Sequence, residues 1–375
     1  MLNMALAFMY LREIQLQEEE EERFRGRKRR RLSRDRFNIS SIPDLEFMEQ
    51  YRLNRVLFQK LCDELTPLLP PKQRQHGLDP SMKILSVLNF FAWGCDQGSI
   101  GQVFNMPVAQ QTVSRCIKEV TKVLNHPNIL QKYMRFPQNK YDRDGIKKKF
   151  NEKFGIPDVV GCIDCTHIAI IKPNINENRF LNDKKYHSLK PQIVCDADCY
   201  ILNVDASYGG ATRDFNIWLA HPISDHLEEL QETAYLLADV DYPQQRHVMT
   251  PITEDLVENT PESRYNDIHK EAHDTIFNTI SMLKARWRCL LGAKELHYTP
   301  EMAAKMINAC CVLHNICNVA GMEAPLLTGN ELEDERKRHY DFENFLQDSF
   351  DEGEAVRTRL VKLLEKNRSK TQANA

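Results

Sequence analysis

The stretch "DVVGCIDCTHIAII", residues 158–171, is apolar or β-branched at most positions, and an aspartate stands in its middle. A run of that composition reads as a β-strand. Side chains alternate along a strand, so Cys162, Asp164 and Thr166 share one face and Ile163, Cys165 and His167 the other. An ionised carboxylate is seldom buried unless something pairs with it. Asp164 therefore calls for either a structural partner or a metal ion. Cys162 and Cys165 lie on opposite faces, which argues against a CxxC zinc site unless the strand bulges. Cys195 and Cys199 share a face but stand about 13 Å apart if extended.

Further carboxylates follow. "VDASYGGATRDFNIW" ends a strand, turns on Gly209-Gly210 and places Asp214 at the start of a short helix. Asp239 ends the strand-like run "YLLADVDYP". Carboxylates from separate strands and a helix can converge at one end of a sheet. Hard oxygen ligands so arranged suit Mg²⁺ or Mn²⁺ rather than zinc. Two such ions about 4 Å apart would activate a water and stabilise the leaving oxygen of a phosphodiester.

The rest of the chain sets the context. Its 375 residues are 42% hydrophobic and 27% charged, which allows a sizeable core. The net charge of -3 makes no global case for nucleic acid, so any such case is local. The eleven cysteines sit inside apolar runs such as "NACCVLHNIC" and read as reduced thiols of a nuclear or cytosolic protein. "MALAFMYL" has no basic residue before it and makes a poor signal peptide. No apolar stretch approaches the roughly 20 residues that span a bilayer, so no membrane partner is expected.

Four segments follow from these patterns. Residues 1–45 form a charged, flexible segment in which "EEEEE" precedes "RFRGRKRRRLSRDR", a basic run of the nuclear-localisation or nucleic-acid type. Residues 46–135 are helical. There "SIGQVFNMPVAQQTVSRCIKEVTKVL" reads as a short helix, a turn at Asn105-Met106-Pro107 and a second helix from about Ala109, a helix-turn-helix arrangement. Gln110, Gln111, Ser114, Arg115 and Lys118 would form its DNA-reading face. Val113, Cys116, Ile117 and Val120 would face the core. Residues 140–325 carry strands and then helices, a mixed α/β layer fold. Residues 326–375 form an acidic, partly disordered tail with a short helix to about Asn367.

The blocks "GCIDCTHIAIIKP", "KKYHSLKPQIVCDADCYILNVDASYGGATRDFNIW", "LLADVDYP", "LKARWRCL" and "INACCVLHNIC", in that order, resemble the PIF/Harbinger transposase family and its domesticated nuclease-like members. The resemblance covers about residues 45–325. It implies an RNase H-like mixed sheet flanked by helices, preceded by an α-helical helix-turn-helix region. It also implies DDE chemistry, in which two Asp and one Glu hold divalent metal for DNA cleavage. Carried over, the first Asp is Asp164 and the second Asp214, the catalytic and metal-holding pair. The glutamate should stand seven residues before Lys284, where this chain has Phe277. Asp239 or Asp274 is then the candidate third ligand. Lys184, Lys185 and His187 would hold phosphate beside the site. The implied function is a Harbinger-derived, Mg²⁺- or Mn²⁺-dependent DNA nuclease in the nucleus, with the cytoplasm as a second location. The alternative is a catalytically inactive DNA- or chromatin-binding protein. The family's Myb-like DNA-binding partner is a further implied partner.

Overall fold

The computed structural model describes residues 38–71, 77–94, 108–339 and 350–373, with isolated positions between 12 and 26. The basic run at 27–36 and the first helix and turn of the expected helix-turn-helix, at 95–107, lie outside the described residues. The chain divides into two units, Met1–Val120 and Thr121–Ala375.

The first unit is helical: α1 (Asp44–Tyr51), α2 (Arg55–Leu65), α3 (Pro80–Trp93) and most of α4 (Gln110–Leu124). The run at 45–69 reads as one helical pattern, yet it breaks after Tyr51. Arg52 adopts a left-handed φ of 61° and donates its N–H to Met48, and Asn54 then caps α2 by accepting from Leu57 N. The break lets Phe47 meet Phe58 edge-on at a centroid distance of 5.6 Å, beside its tilted contact with Tyr51 of the same helix at 4.8 Å. On α4, Val113, Cys116, Ile117 and Val120 are buried, whereas Gln110, Gln111, Arg115 and Lys118 are exposed and Ser114 is half-buried.

The second unit is built on a five-stranded mixed sheet of order β5-β4-β1-β6-β7. Its strands are β1 (Val159–Cys165), β4 (Gln192–Cys195), β5 (Ile201–Asp205), β6 (Tyr235–Leu237) and β7 (Val248–Met249). Two short strands, β2 (Ile168–Ala169) and β3 (Ser188–Leu189), form a separate antiparallel pair. β1 is central and buried along its whole length, which explains its unbroken apolar character. It pairs antiparallel with β4 and parallel with β6. The "PQIVCDADCYILNVD" segment is the expected hairpin, with Ile193 opposite Val204.

Helices cover both faces. On one, Val160, Ile163 and Cys165 pack with Ile217 and Trp218 of α7 (Asp214–Leu219) and Ile223 and Leu227 of α8 (Pro222–Glu228). Ile146 of α6 (Lys140–Phe154), which follows α5 (Pro127–Tyr133), joins this cluster. On the other face lie α9 (Pro261–Arg286) and α10 (Pro300–Val319). Cys162 Sγ donates to Ala272 O of α9 at 3.3 Å. Asn315 of α10 bonds both the N–H and the C=O of Ile201. The alternation along β1 thus turns the Cys162 and Asp164 face toward α9.

Two helices stand in the segment expected to be an acidic, partly disordered tail with one short helix. α11 (Gly329–His339) is anchored by Glu335, whose carboxylate takes Lys284 Nζ at 2.5 Å and Gly292 N at 2.7 Å. α12 (Asp351–Ala373) is 23 residues long and tied to α9 through Arg264 and Glu365. Partners in the folded unit order residues whose own composition would not.

Candidate active site

Asp164 is the penultimate residue of β1, and Asp239 lies two residues past β6. The parallel register pairs Cys162 with Leu237. Carried two residues on, it sets Asp164 beside Asp239 at the carboxyl ends of neighbouring strands, which run about 4.8 Å apart. Asp164 is buried and Asp239 half-buried. Asp164 Oδ1 accepts from Cys165 N at 2.6 Å, and Asp239 Oδ1 accepts from Asp241 N at 3.1 Å. Burial, then the charges of Asp164, Asp241 and Asp214, push the Asp239 carboxyl well above the usual carboxylate range. The carboxylates have therefore been brought close enough to repel one another.

Asp214 reaches this cluster from the first residue of α7, with Arg213 at the N-cap. The preceding Gly209-Gly210 turn presses on the 179–188 loop. A Cβ at Gly209 would meet the Arg179 carbonyl, and one at Gly210 the Ser188 hydroxyl. Those glycines let the chain deliver Asp214 to the sheet. Asp214 is buried and forms an ion pair with buried Lys190, a residue that sequence reasoning did not assign. A lysine between two strand-forming segments, in "HSLKPQIVC", was the available signal.

Next to Asp164 in sequence, Cys165 Sγ lies 3.3 Å from Tyr242 OH, which also accepts from Gln192 Nε2 at 3.3 Å. Burial, followed by Asp214 for Cys165 and by Cys165 and Asp214 for Tyr242, raises the pKa of both groups. Both stay protonated at neutral pH.

The helix α9 runs along the same end of β1. His273 Nε2 lies 3.3 Å from Ile163 O, and Lys284 Nζ donates to His167 O at 3.2 Å. Phe277 falls between these contacts, and the Arg336 guanidinium of α11 sits 5.7 Å from its ring centroid. Asp274 is exposed, about 100° round the helix from His273. It is not brought to the strand ends as Asp239 is. Of the expected phosphate-holding residues, Lys185 is exposed on a tight turn at φ 65°, and Lys184 is half-buried. His187 is engaged by Glu177 at 3.1 Å. His314 spends both ring nitrogens within the fold, on Arg286 and on Cys199 O.

Among the described residues no group of three or more His, Cys, Asp or Glu side chains is arranged to hold a metal. Two carboxylates suffice for one Mg²⁺, which keeps several waters and is commonly held by one or two carboxylates plus substrate phosphate. The mutual repulsion at Asp239 fits such an ion. A full protein cage is not what these residues build.

Residues 163–315 match a family described as DDE superfamily endonuclease. The rat (Rattus norvegicus) protein named "Putative nuclease HARBI1" is 32% identical over 319 residues, covering 82% of this chain and 90% of its own length. Its human (Homo sapiens) counterpart is 32% identical over 292 residues, covering 77% and 82%. "Protein ALP1-like" of Arabidopsis thaliana is 27% identical over 320 residues, covering 78% and 75%. No solved structure matches the chain.

Proposed function

The chain belongs to the DDE superfamily endonucleases, with the Harbinger-derived HARBI1 proteins, and on that footing we propose that it hydrolyses DNA phosphodiesters using Mg²⁺ or Mn²⁺ on an RNase H-like sheet. The observation that carries the reading is the register that sets Asp164 beside Asp239, together with the repulsion felt at Asp239. Sequence reasoning paired Asp164 with Asp214. In this proposal Asp164 and Asp239 hold the ion, from the ends of neighbouring parallel strands.

When bound, the ion would polarise a phosphoryl oxygen and lower the pKa of an attacking water. The protein's own part is positioning. Asp164 and Asp239 offer oxygens from neighbouring strands of one sheet. Exposed Lys185, with Lys184 beside it, gives the DNA backbone a cationic edge. The exposed Gln110, Gln111, Arg115 and Lys118 of α4, with Ser114, are a candidate base- and phosphate-reading face, as in the helix-turn-helix reading. A nuclear protein with a Myb-like DNA-binding partner completes the proposal.

Calorimetry with Mn²⁺ on the full chain tests it. Wild type should bind, and Asp164→Ala should bind at least tenfold more weakly, the loss of about 1.4 kcal/mol or more. Equal binding by both would defeat the proposal. Phe277, standing where the resemblance places an acid, supports a second reading: a DNA- or chromatin-binding protein that has lost cleavage. That reading expects DNA binding unaffected by EDTA and by Asp164→Ala, with no cut product in Mn²⁺.

A further inference from the structure

α11 lies beyond residues 163–315, the part of the chain that matches the endonuclease family, yet one of its faces is docked on that part. Glu331, Glu335 and Arg338 recur on this face at helical spacing. Glu331 takes the Arg288 guanidinium, and Glu335 takes Lys284 Nζ at 2.5 Å and Gly292 N at 2.7 Å. The Arg338 side chain lies across Gly292, where a Cβ would collide with it. Its guanidinium stands 4.9 Å from the centroid of the Tyr186 ring. Arg336, about 100° round the helix from Glu335, is exposed. Its guanidinium stands 5.7 Å from the centroid of the Phe277 ring.

Both rings stand where the chain leaves β1. Tyr186 meets His167 edge-on at 6.2 Å, and His167 Nδ1 lies 2.9 Å from Ser188 Oγ. Phe277 stands on α9 between His273, 3.3 Å from Ile163 O, and Lys284, which donates to His167 O at 3.2 Å. Tyr186 directly follows Lys184 and exposed Lys185 in sequence. Two arginines of α11 are thus set beside the loop that carries those lysines.

A guanidinium set over a ring uses its face and keeps its N–H donors at its rim, in the fork that fits a phosphate. A carboxylate would occupy that fork, as Glu331 does on Arg288. Among the described residues no carboxylate pairs with Arg336 or Arg338. Phe277 matters here. An ionised acid at 277, where the resemblance places one, would pair with Arg336 and cancel its charge. A phenyl ring seats the guanidinium and leaves the charge in place.

We propose that Arg336 and Arg338 of α11, seated on Phe277 and Tyr186, bind the phosphate backbone of DNA and extend the cationic edge of Lys184 and Lys185. The inference rests on the DNA-directed reading above and deepens it. Both arginines are substrate-positioning residues and take no part in bond cleavage.

Fluorescence anisotropy of a labelled DNA duplex titrated with the full chain, in EDTA and over a series of NaCl concentrations, tests the proposal. EDTA removes any contribution from a divalent ion. The double variant Arg336→Gln, Arg338→Gln should bind at least about tenfold more weakly, the scale of lost hydrogen bonds to charged groups. Its plot of log affinity against log salt should be shallower by about 2, since each lost phosphate contact removes about 0.9 from the slope. A merely structural role for α11 would not move that slope. Arg336→Lys, Arg338→Lys keeps both charges and should keep the wild-type slope. Lys337→Gln, on the same helix but paired with Glu333 at 2.7 Å, should also keep it. If the double Gln variant fails to fold, exposed Arg336→Gln alone carries the test, with a slope shallower by about 1. A wild-type slope in the Gln variants, or an equal fall in Lys337→Gln, would overturn the proposal and leave the DNA-directed reading standing. No DNA binding by wild type would defeat that reading, and this proposal with it.

Discussion

Asp239 shows how a site can be stored in a fold at the expense of stability. Its carboxyl is pushed well above the usual range by burial, then by Asp164, Asp241 and Asp214. The folded state therefore holds its proton more tightly than the unfolded state does. Stability contributed by this group is complete below the ordinary carboxylate pKa and is lost as pH rises toward the raised folded value. Buried His269 and His314 act in the opposite direction. Burial, with His273 beside one and Arg286 beside the other, pushes each down to about 3 from 6.5. Their contribution is lost as pH falls below 6.5, on the order of 2 kcal/mol each at pH 5. Urea unfolding in EDTA across pH 4–8 reads both. Asp239→Asn should gain about 0.5–2 kcal/mol at pH 7–8, the scale of a relieved functional site, and keep the acid-side loss. A gain no larger at pH 8 than at pH 4 would refute the assigned cause.

Among the elements, α9 and α11 decide what stands at the third corner of the site. Position 277 is aimed at the end of β1 by contacts a turn before it and two turns after it, at Ile163 and His167. α11 is held by the buried Lys284–Glu335 pair, whose disruption at either partner leaves an uncompensated buried charge, a loss of about 3–5 kcal/mol. It brings Arg336 over the Phe277 ring. An acid restored at 277 meets that guanidinium first. Phe277→Glu alone should change Mn²⁺ affinity little, whereas Phe277→Glu with Arg336→Ala should tighten it about tenfold, one contact of about 1.4 kcal/mol. Unchanged affinity in the double variant would mean that α9 does not address the ion. A strong gain in the single variant would mean that Arg336 does not compete. The first part of the tail reads as acidic and partly disordered because nothing local announces Glu335's partners, which lie more than forty residues away.

At the scale of the whole molecule, the chain couples a helical unit to a mixed-sheet unit, and among the described residues no helix is long and apolar enough to cross a membrane. The proposed nuclear role depends on the basic run "RGRKRRR", whose charge density is of the import type. Replacement of residues 27–31 by alanine should shift the protein, imaged in cells, from nucleus to cytoplasm. Unaltered nuclear accumulation would reject that role for the run.

The sequence by itself determined the strand around Asp164, the β4–β5 hairpin, the helical flanks, the outward face of α4 and the family, because periodicity and ordered motif blocks are local or collinear properties. It also named Asp164, Asp214 and Asp239 as the acids to watch. Tertiary structure decided which of them meet. The partnership of Asp164 with Asp239 follows from parallel pairing across a crossover of seventy-odd residues, and register is a property of two strands rather than one. The pairing of Asp214 with Lys190, the exposure of Asp274 and the cover of Arg336 over Phe277 have the same origin. Each is a side chain whose environment is supplied by residues distant in sequence, and charge interactions act through space, not along the chain.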